Sequence, residues 1–199
     1  LCIDDKNIVD IKQKLSSQKI ISYGLNTSAN FSATNLKIFI KQNNFFTSFD
    51  LIENLKKKKI IKNFILPLVG KHNVQNCLAA ISLSRSLNIS YTKIKKSISQ
   101  FQGVKRRFSI LSNKNGNLII DDYAHHPSEI KATLESLKLI SKKNIITIIE
   151  PHRFSRLTSF LPDFIKSLSE SNSIFVLPVY SAGEKLKSRI NSLSFCKLL

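Results

Sequence analysis

The stretch Asn117–Lys138 reads NLIIDDYAHHPSEIKATLESLK. A short apolar run, Leu118 to Ile120, leads into Asp121, Asp122, Tyr123, His125 and His126. After it Ile130, Leu134, Leu137 and Ile140 recur at helical spacing. Pro127 suits the first turn of that helix, where a missing N–H costs nothing. A strand that hands a polar cluster to a helix start is the joint at which open α/β sheets bind ligands.

Downstream the same rhythm repeats. A strand NIITIIE is followed by the loop PHRFSR, a helix around Phe160 to Leu168, and a strand SIFVLPVY. The order β-α-β-α-β with apolar strands predicts a parallel sheet covered on both faces. Its strand ends carry Asp121, Asp122, Tyr123, His125 and His126; then Glu150, His152, Arg153 and Arg156; then Tyr180, Gly183 and Glu184. In a parallel sheet these ends share one rim. Strand ends are polar in any protein because loops face water. Histidines, paired arginines and tyrosines together are nonetheless a heavy load for idle loops.

Upstream, SILSN and NLIIDDY flank Asn115-Gly116, a hairpin signal. The rhythm changes near Gly103, so the expected division is a domain over residues 1–102 and another over residues 103–199. In the first, Ile8, Ile11 and Leu15 predict a helix within residues 1–20, and KIISYG predicts a short strand. Phe31 to Leu68 reads as antiparallel hairpin strands. HNVQNCLAAISLSRSL reads as a helix, and Ser90 as the cap of another with Ile94, Ile98 and Phe101 on its apolar face. The fold class is therefore α/β.

Composition narrows the function. The chain has 199 residues, 42% hydrophobic, enough for a core. No run reaches the ~18 apolar residues of a membrane span. Three scattered cysteines suit neither a disulfide framework nor a zinc knuckle, and point to a reducing cytoplasm. The net charge of +18 favours anionic partners. Lysine-rich codon drift in an AT-rich genome explains it better than nucleic-acid binding, because Lys56–Lys59 lacks interleaved aromatics or a base-reading motif.

Adjacent His125 and His126 point apart on extended chain, and no Cys or His-x-x-x-His partner is near, so no metal site is expected. One histidine is expected to meet a substrate while the other caps the helix; the sequence leaves open which. Arg153 and Arg156 suit bidentate grip of a carboxylate or phosphate. Asn73 and Asn76, three apart on one helix face, suit an adenine edge, or alternatively a cap and a solvated amide. A nucleotide near the domain junction would meet these, the Arg106-Arg107 pair and Asp122.

With these residues assembled, the chain resembles the Mur ligases, amide-forming enzymes of peptidoglycan synthesis. The resemblance rests on GKHNVQNCLAAI, FQGVKRRF, DDYAHHPSEI, PHRFSR and VYSAGE in the family's order, with LCIDD matching its central domain. It implies the end of an ATPase-type α/β domain followed by a Rossmann-like carboxy-terminal domain. DDYAHHP followed by PHRFSR points to the branch that joins L-alanine to the lactyl carboxylate of UDP-N-acetylmuramate through an acyl phosphate. A peptide-recycling branch shares the HHP segment. ATP and Mg2+ are the implied cofactors, with no nucleic acid or membrane partner. Asn73, Asn76, Arg107 and Asp122 fall at the family's ATP-binding positions. Tyr123, His125, Arg153 and Arg156 fall at its substrate positions, with His125 and the two arginines in catalytic roles.

The departure from the family pattern is a missing Gly-Lys-Ser/Thr phosphate loop; Gly70-Lys71 is followed by His72. The chain also lacks methionine altogether. Both features lead to the expectation that it is a piece of a longer protein, inactive alone. Incubation of the 199 residues with ATP, UDP-N-acetylmuramate and L-alanine should release no ADP; measurable turnover overturns that expectation.

Overall fold

The computed structural model describes residues 1–5, 7–8, 11, 15, 20–42, 44–185 and 190–199. The chain divides into two compact units, Leu1–Val104 and Lys105–Leu199. The helix expected within residues 1–20 lies largely outside the described residues.

The first unit is a sheet with helices on one face. Its strands are β1 (Tyr23–Gly24), β2 (Phe31–Lys41), β3 (Asn44–Asn54) and β4 (Lys58–Leu66), hydrogen-bonded in that order. β1 pairs parallel to β2, and the β2–β3–β4 meander is antiparallel, as the short polar connections predict. Helices α1 (Lys71–Ser86) and α2 (Tyr91–Ser99) follow. Val74, Cys77, Leu78 and Ile81 recur on one face of α1 and bury it against Phe31, Phe49, Leu51 and Phe64. The Phe49 and Phe64 rings stack with centroids 5.3 Å apart. Ser90 caps α2 by accepting from Lys93 N–H at 3.4 Å, and Ile94 is buried, while Phe101 stays exposed. Desolvation pushes the buried Cys77 thiol up to about 12.

Two polar details hold this unit's edges. Asp4 accepts from the N–H groups of Leu25 and Asn26 and from Gln75 Nε2, at 2.6, 3.0 and 2.7 Å. A Cβ at Gly24 would sit 2.8 Å from that carboxylate, so only glycine fits there. Glu53, 4% exposed, is paired with Arg85 at 3.6 Å and Lys59 at 3.8 Å and accepts from the Tyr91 hydroxyl. The lysine run has a structural place: Lys58 and Lys59 begin β4, the edge strand. Charged side chains along an exposed edge discourage pairing with another chain.

The second unit begins with the hairpin β5 (Ser109–Lys114) and β6 (Asn117–Asp121). Asn115 and Gly116 both have positive φ, 51° and 75°, as a type I′ turn requires. Then come α3 (Pro127–Ile140), β7 (Ile146–Ile149), α4 (Phe154–Ser159), α5 (Leu161–Leu168), β8 (Ser173–Val176) and α6 (Ser192–Cys196). β7 and β8 pair in parallel, and an isolated parallel bridge His152–Tyr180 continues their register. Ile130 and Leu134 of α3, Ile149, Leu157, Phe164, Leu168 and Phe195 form the core.

Two expectations need correction here. β6 does not join β7 and β8; among the described residues its ladder is with β5, because the tight hairpin supplies a partner only a turn away. Nor is the β7–β8 pair covered on both faces. Ile146, Ile148 and Phe175 are 65%, 68% and 58% exposed, so one face is bare within the described residues.

Phe49→Ala should cost about 3–5 kcal/mol, because Phe49 is 1% exposed and its partner ring would face a void. A denaturant midpoint unchanged by this substitution would contradict the assigned core.

Candidate active site

Carboxylates that bind backbone N–H groups build the loop after β6. Asp122 Oδ2 accepts from Phe108 N–H at 2.9 Å and from the Thr133 hydroxyl at 3.2 Å; Oδ1 accepts from Ala124 N–H at 2.8 Å. Asp122 is thus the clasp that joins the chain before β5, the loop and α3. Tyr123 N–H donates to Arg106 O at 2.7 Å, and the Arg106 guanidinium lies 5.0 Å from the Tyr123 ring centroid.

The two histidines separate by role. His126 is the N-cap of α3: its Nδ1 accepts from Ser128 N–H at 3.3 Å, while Glu129 reaches back to accept from His126 N–H at 3.2 Å. Those reciprocal bonds make a capping box. His125 turns the other way. Its Nδ1 is 2.8 Å from the Tyr123 carbonyl, which can only accept, so Nδ1 carries the proton and Nε2 presents its lone pair. The Tyr123 and His125 rings meet edge to face at 4.9 Å.

From there a row of rings crosses the strand tips. His125 is 5.4 Å from His152, and His152 is 5.0 Å from Tyr180. Burial, and after it the charges of His125, Arg156 and Arg153, hold the His152 imidazole below its ordinary value. It is therefore uncharged at neutral pH.

Arg153 and Arg156 stand at the start of α4. Arg153 is its N-cap residue with φ 72° and ψ 131°, a backbone state that costs a non-glycine residue roughly 1–3 kcal/mol. Its N–H donates to Tyr180 O at 2.8 Å. Among the described residues the Arg153 guanidinium makes no hydrogen bond or ion pair, and that of Arg156 makes one long bond, 3.5 Å, to His152 O. Two cations so lightly engaged beside an aromatic wall suit a small carboxylate or phosphate.

Glu129 links two sequence-predicted residues. It accepts from His125 N–H at 3.0 Å, and Arg107 lies 3.6 Å from its other oxygen. Burial alone would raise this carboxyl, but the N–H groups of His125 and His126 and the charges of His125 and Arg107 outweigh it and hold it low. Asn73 and Asn76 belong to the first unit. Asn73 Nδ2 donates to Val69 O at 2.8 Å, leaving its acceptor oxygen, and Asn76 is exposed.

So the structure gathers Tyr123, His125, Arg153 and Arg156 at the strand tips of the second unit, with Arg107 and Asp122 tied to the same loop. Sequence reasoning overlooked Glu129 as an organiser, although its position three residues after the cap was a readable signal. It also gave His152 no role of its own.

Comparisons with known proteins agree with this arrangement. A sequence model of the Mur ligase middle domain matches residues 1–84, and one of the Mur ligase glutamate ligase domain matches residues 106–192. The UDP-N-acetylmuramate–L-alanine ligase of Pelagibacter ubique is 38% identical over 99% of this chain and 42% of its own length. That of Agrobacterium fabrum is 38% identical over 92% of this chain and 39% of its own. The crystal structure of UDP-N-acetylmuramate-alanine ligase from Thermotoga maritima superimposes with a TM-score of 0.67 at 27% identity, covering 84% of this chain and 36% of that one. The chain belongs to the Mur ligase family and carries its middle and carboxy-terminal domains. It spans about two fifths of the length of the curated relatives it matches.

Glu129 is held ionised by folding, so it stabilises the protein above its ordinary value of 4.5 and loses that contribution as pH falls through its lowered folded value. Glu129→Gln should flatten the fall in melting temperature from roughly pH 6 to pH 4. An acid limb as steep as in the parent would show that Glu129 is not the group responsible.

Proposed function

We propose that these residues are part of an ATP-dependent ligase that joins L-alanine to the lactyl carboxylate of UDP-N-acetylmuramate. The observation that carries the reading is the row Tyr123–His125–His152–Tyr180 beside two lightly engaged guanidinium groups. The proposed reaction has two steps. A lactyl carboxylate oxygen attacks the γ-phosphorus of ATP and ADP leaves, giving an acyl phosphate. The alanine amine then attacks the acyl carbon, phosphate leaves, and the amine loses a proton.

Each side chain takes a part set by its geometry. Arg153 and Arg156 hold the alanine carboxylate, which aims the amine at the acyl carbon; positioning of this kind contributes more than any covalent step by the protein. His125 Nε2, lone pair outward, is the acceptor for the amine proton. Tyr123 walls the amino-acid pocket. Asn73 and Asn76 read the adenine edge. Arg107 meets the phosphates, with Glu129 orienting it, and the Asp122 loop meets the ribose.

Magnesium, which the family resemblance implies, does not fit these residues. Among the described residues no cluster of three His, Cys, Asp or Glu side chains could hold a metal ion, and Asp122 and Glu129 are occupied by N–H and hydroxyl donors. No step is assigned to the ion through this chain. No helix among the described residues is long and apolar enough to cross a membrane. We assign the enzyme to the cytoplasm, with no nucleic acid among its partners.

In the full-length enzyme, Arg153→Ala should raise the KM for L-alanine on the order of a hundredfold and leave the KM for ATP nearly unchanged. A change confined to ATP would place the arginine on the wrong ligand. Turnover with a muramoyl-linking peptide in place of alanine would assign the recycling reaction instead.

A further inference from the structure

Arg153 occupies a position that its own chemistry disfavours. A helix N-cap residue normally accepts a hydrogen bond from the first turn, and arginine has no acceptor. Its φ of 72° is a value that side-chain-bearing residues rarely adopt. Something else must satisfy the first turn of α4 and hold the backbone in that state. In this structure it is Glu184, from 29 residues downstream: Oε2 accepts from Ser155 N–H at 3.0 Å and Oε1 from the Ser155 hydroxyl at 2.6 Å.

The loop that delivers Glu184 is built for the purpose. Ala182 and Gly183 have consecutive positive φ values, 51° and 85°, and Glu184 N–H donates back to Ser181 O at 3.1 Å. That is a tight reversal of the type I′ kind. Just before it, Tyr180 N–H donates to Pro151 O at 2.9 Å and Tyr180 O accepts from Arg153 N–H at 2.8 Å. The segments PHRFSR and VYSAGE are thus fastened on both sides of Arg153. The fastening comes from Tyr180 on one side and Glu184 on the other. Glu184 forms no ion pair within 4.0 Å with either arginine among the described residues, so it braces the backbone without neutralising the guanidinium groups.

We propose that Glu184 is a positioning residue for the amino-acid site: it supplies the helix cap that Arg153 cannot, and so fixes the direction in which Arg153 points. This inference rests on the reading of Arg153 as the carboxylate anchor. The Ser155 hydroxyl is the second half of the brace.

Two measurements test it. In the 199-residue chain, Glu184→Ala should speed amide hydrogen exchange at Ser155 on the order of tenfold or more, while the amides of α3 keep their protection. In the full-length enzyme, Glu184→Ala should raise the KM for L-alanine about tenfold to a hundredfold and leave the KM for ATP as it was. Glu184→Gln, which can still accept from Ser155 N–H, should recover part of the loss. Ser155→Ala, a smaller lesion, should shift the alanine KM in the same direction by less. If Arg153→Ala raises the alanine KM and neither Glu184→Ala nor Ser155→Ala does, the positioning role is wrong and the site reading stands. If Arg153→Ala itself leaves alanine binding untouched, the site reading falls and the inference with it. Equal losses for alanine and ATP would mark Glu184 as a general fold support and overturn the proposal.

Discussion

The parallel pairing of β7 with β8 is the constraint on which the site depends. Ile146 to Ile149 lie in register with Ser173 to Val176, and the two chains keep that register beyond the strands until His152 meets Tyr180. Everything that follows in each chain is placed by this shared register. Arg153 begins a helix immediately after the bridge, and the turn that carries Glu184 begins immediately after it on the other side. The buried side chains of Ile149, Leu157, Phe164 and Leu168 fix the pair from below. A slip of one residue would send the apolar side chains to the wrong face.

Above that frame, carboxylates act as local fasteners. Asp122, Glu129 and Glu184 each accept from at least one backbone N–H group in a loop or first helical turn. Hydrogen bonds to an ionised acceptor are stronger than neutral ones and set geometry as well as energy. The division of labour is chemical: acids hold the main chain, while the arginines at the start of α4 keep their donors for a ligand. Asp4 plays the same part in the first unit, accepting from Leu25 and Asn26.

Much of this was legible in the sequence, and the illegible part has a physical cause. Local signals read well. Asn115-Gly116 gave the hairpin, Ser90 the cap of α2, and the spacing of Ile130, Leu134 and Leu137 the inward face of α3. The convergence of Tyr123, His125, Arg153 and Arg156 followed from strand ends facing one way. What could not be read was long-range. Strand β6 pairs with β5 rather than with β7, a choice the apolar pattern of β6 does not encode. Glu184 acts on Ser155 from across a loop, and no local rule announces a cap supplied from 29 residues away. The His125–His126 ambiguity needed coordinates, since both rings share a backbone stretch and only their hydrogen bonds tell them apart.

The strained backbone at Arg153 has a thermodynamic consequence for recognition. Folding has already frozen the φ and ψ of that residue and the turn that braces it, so a carboxylate arriving at the guanidinium has only side-chain rotors left to order. The entropic penalty of association is correspondingly small, and even a guest of few atoms can be held with useful affinity.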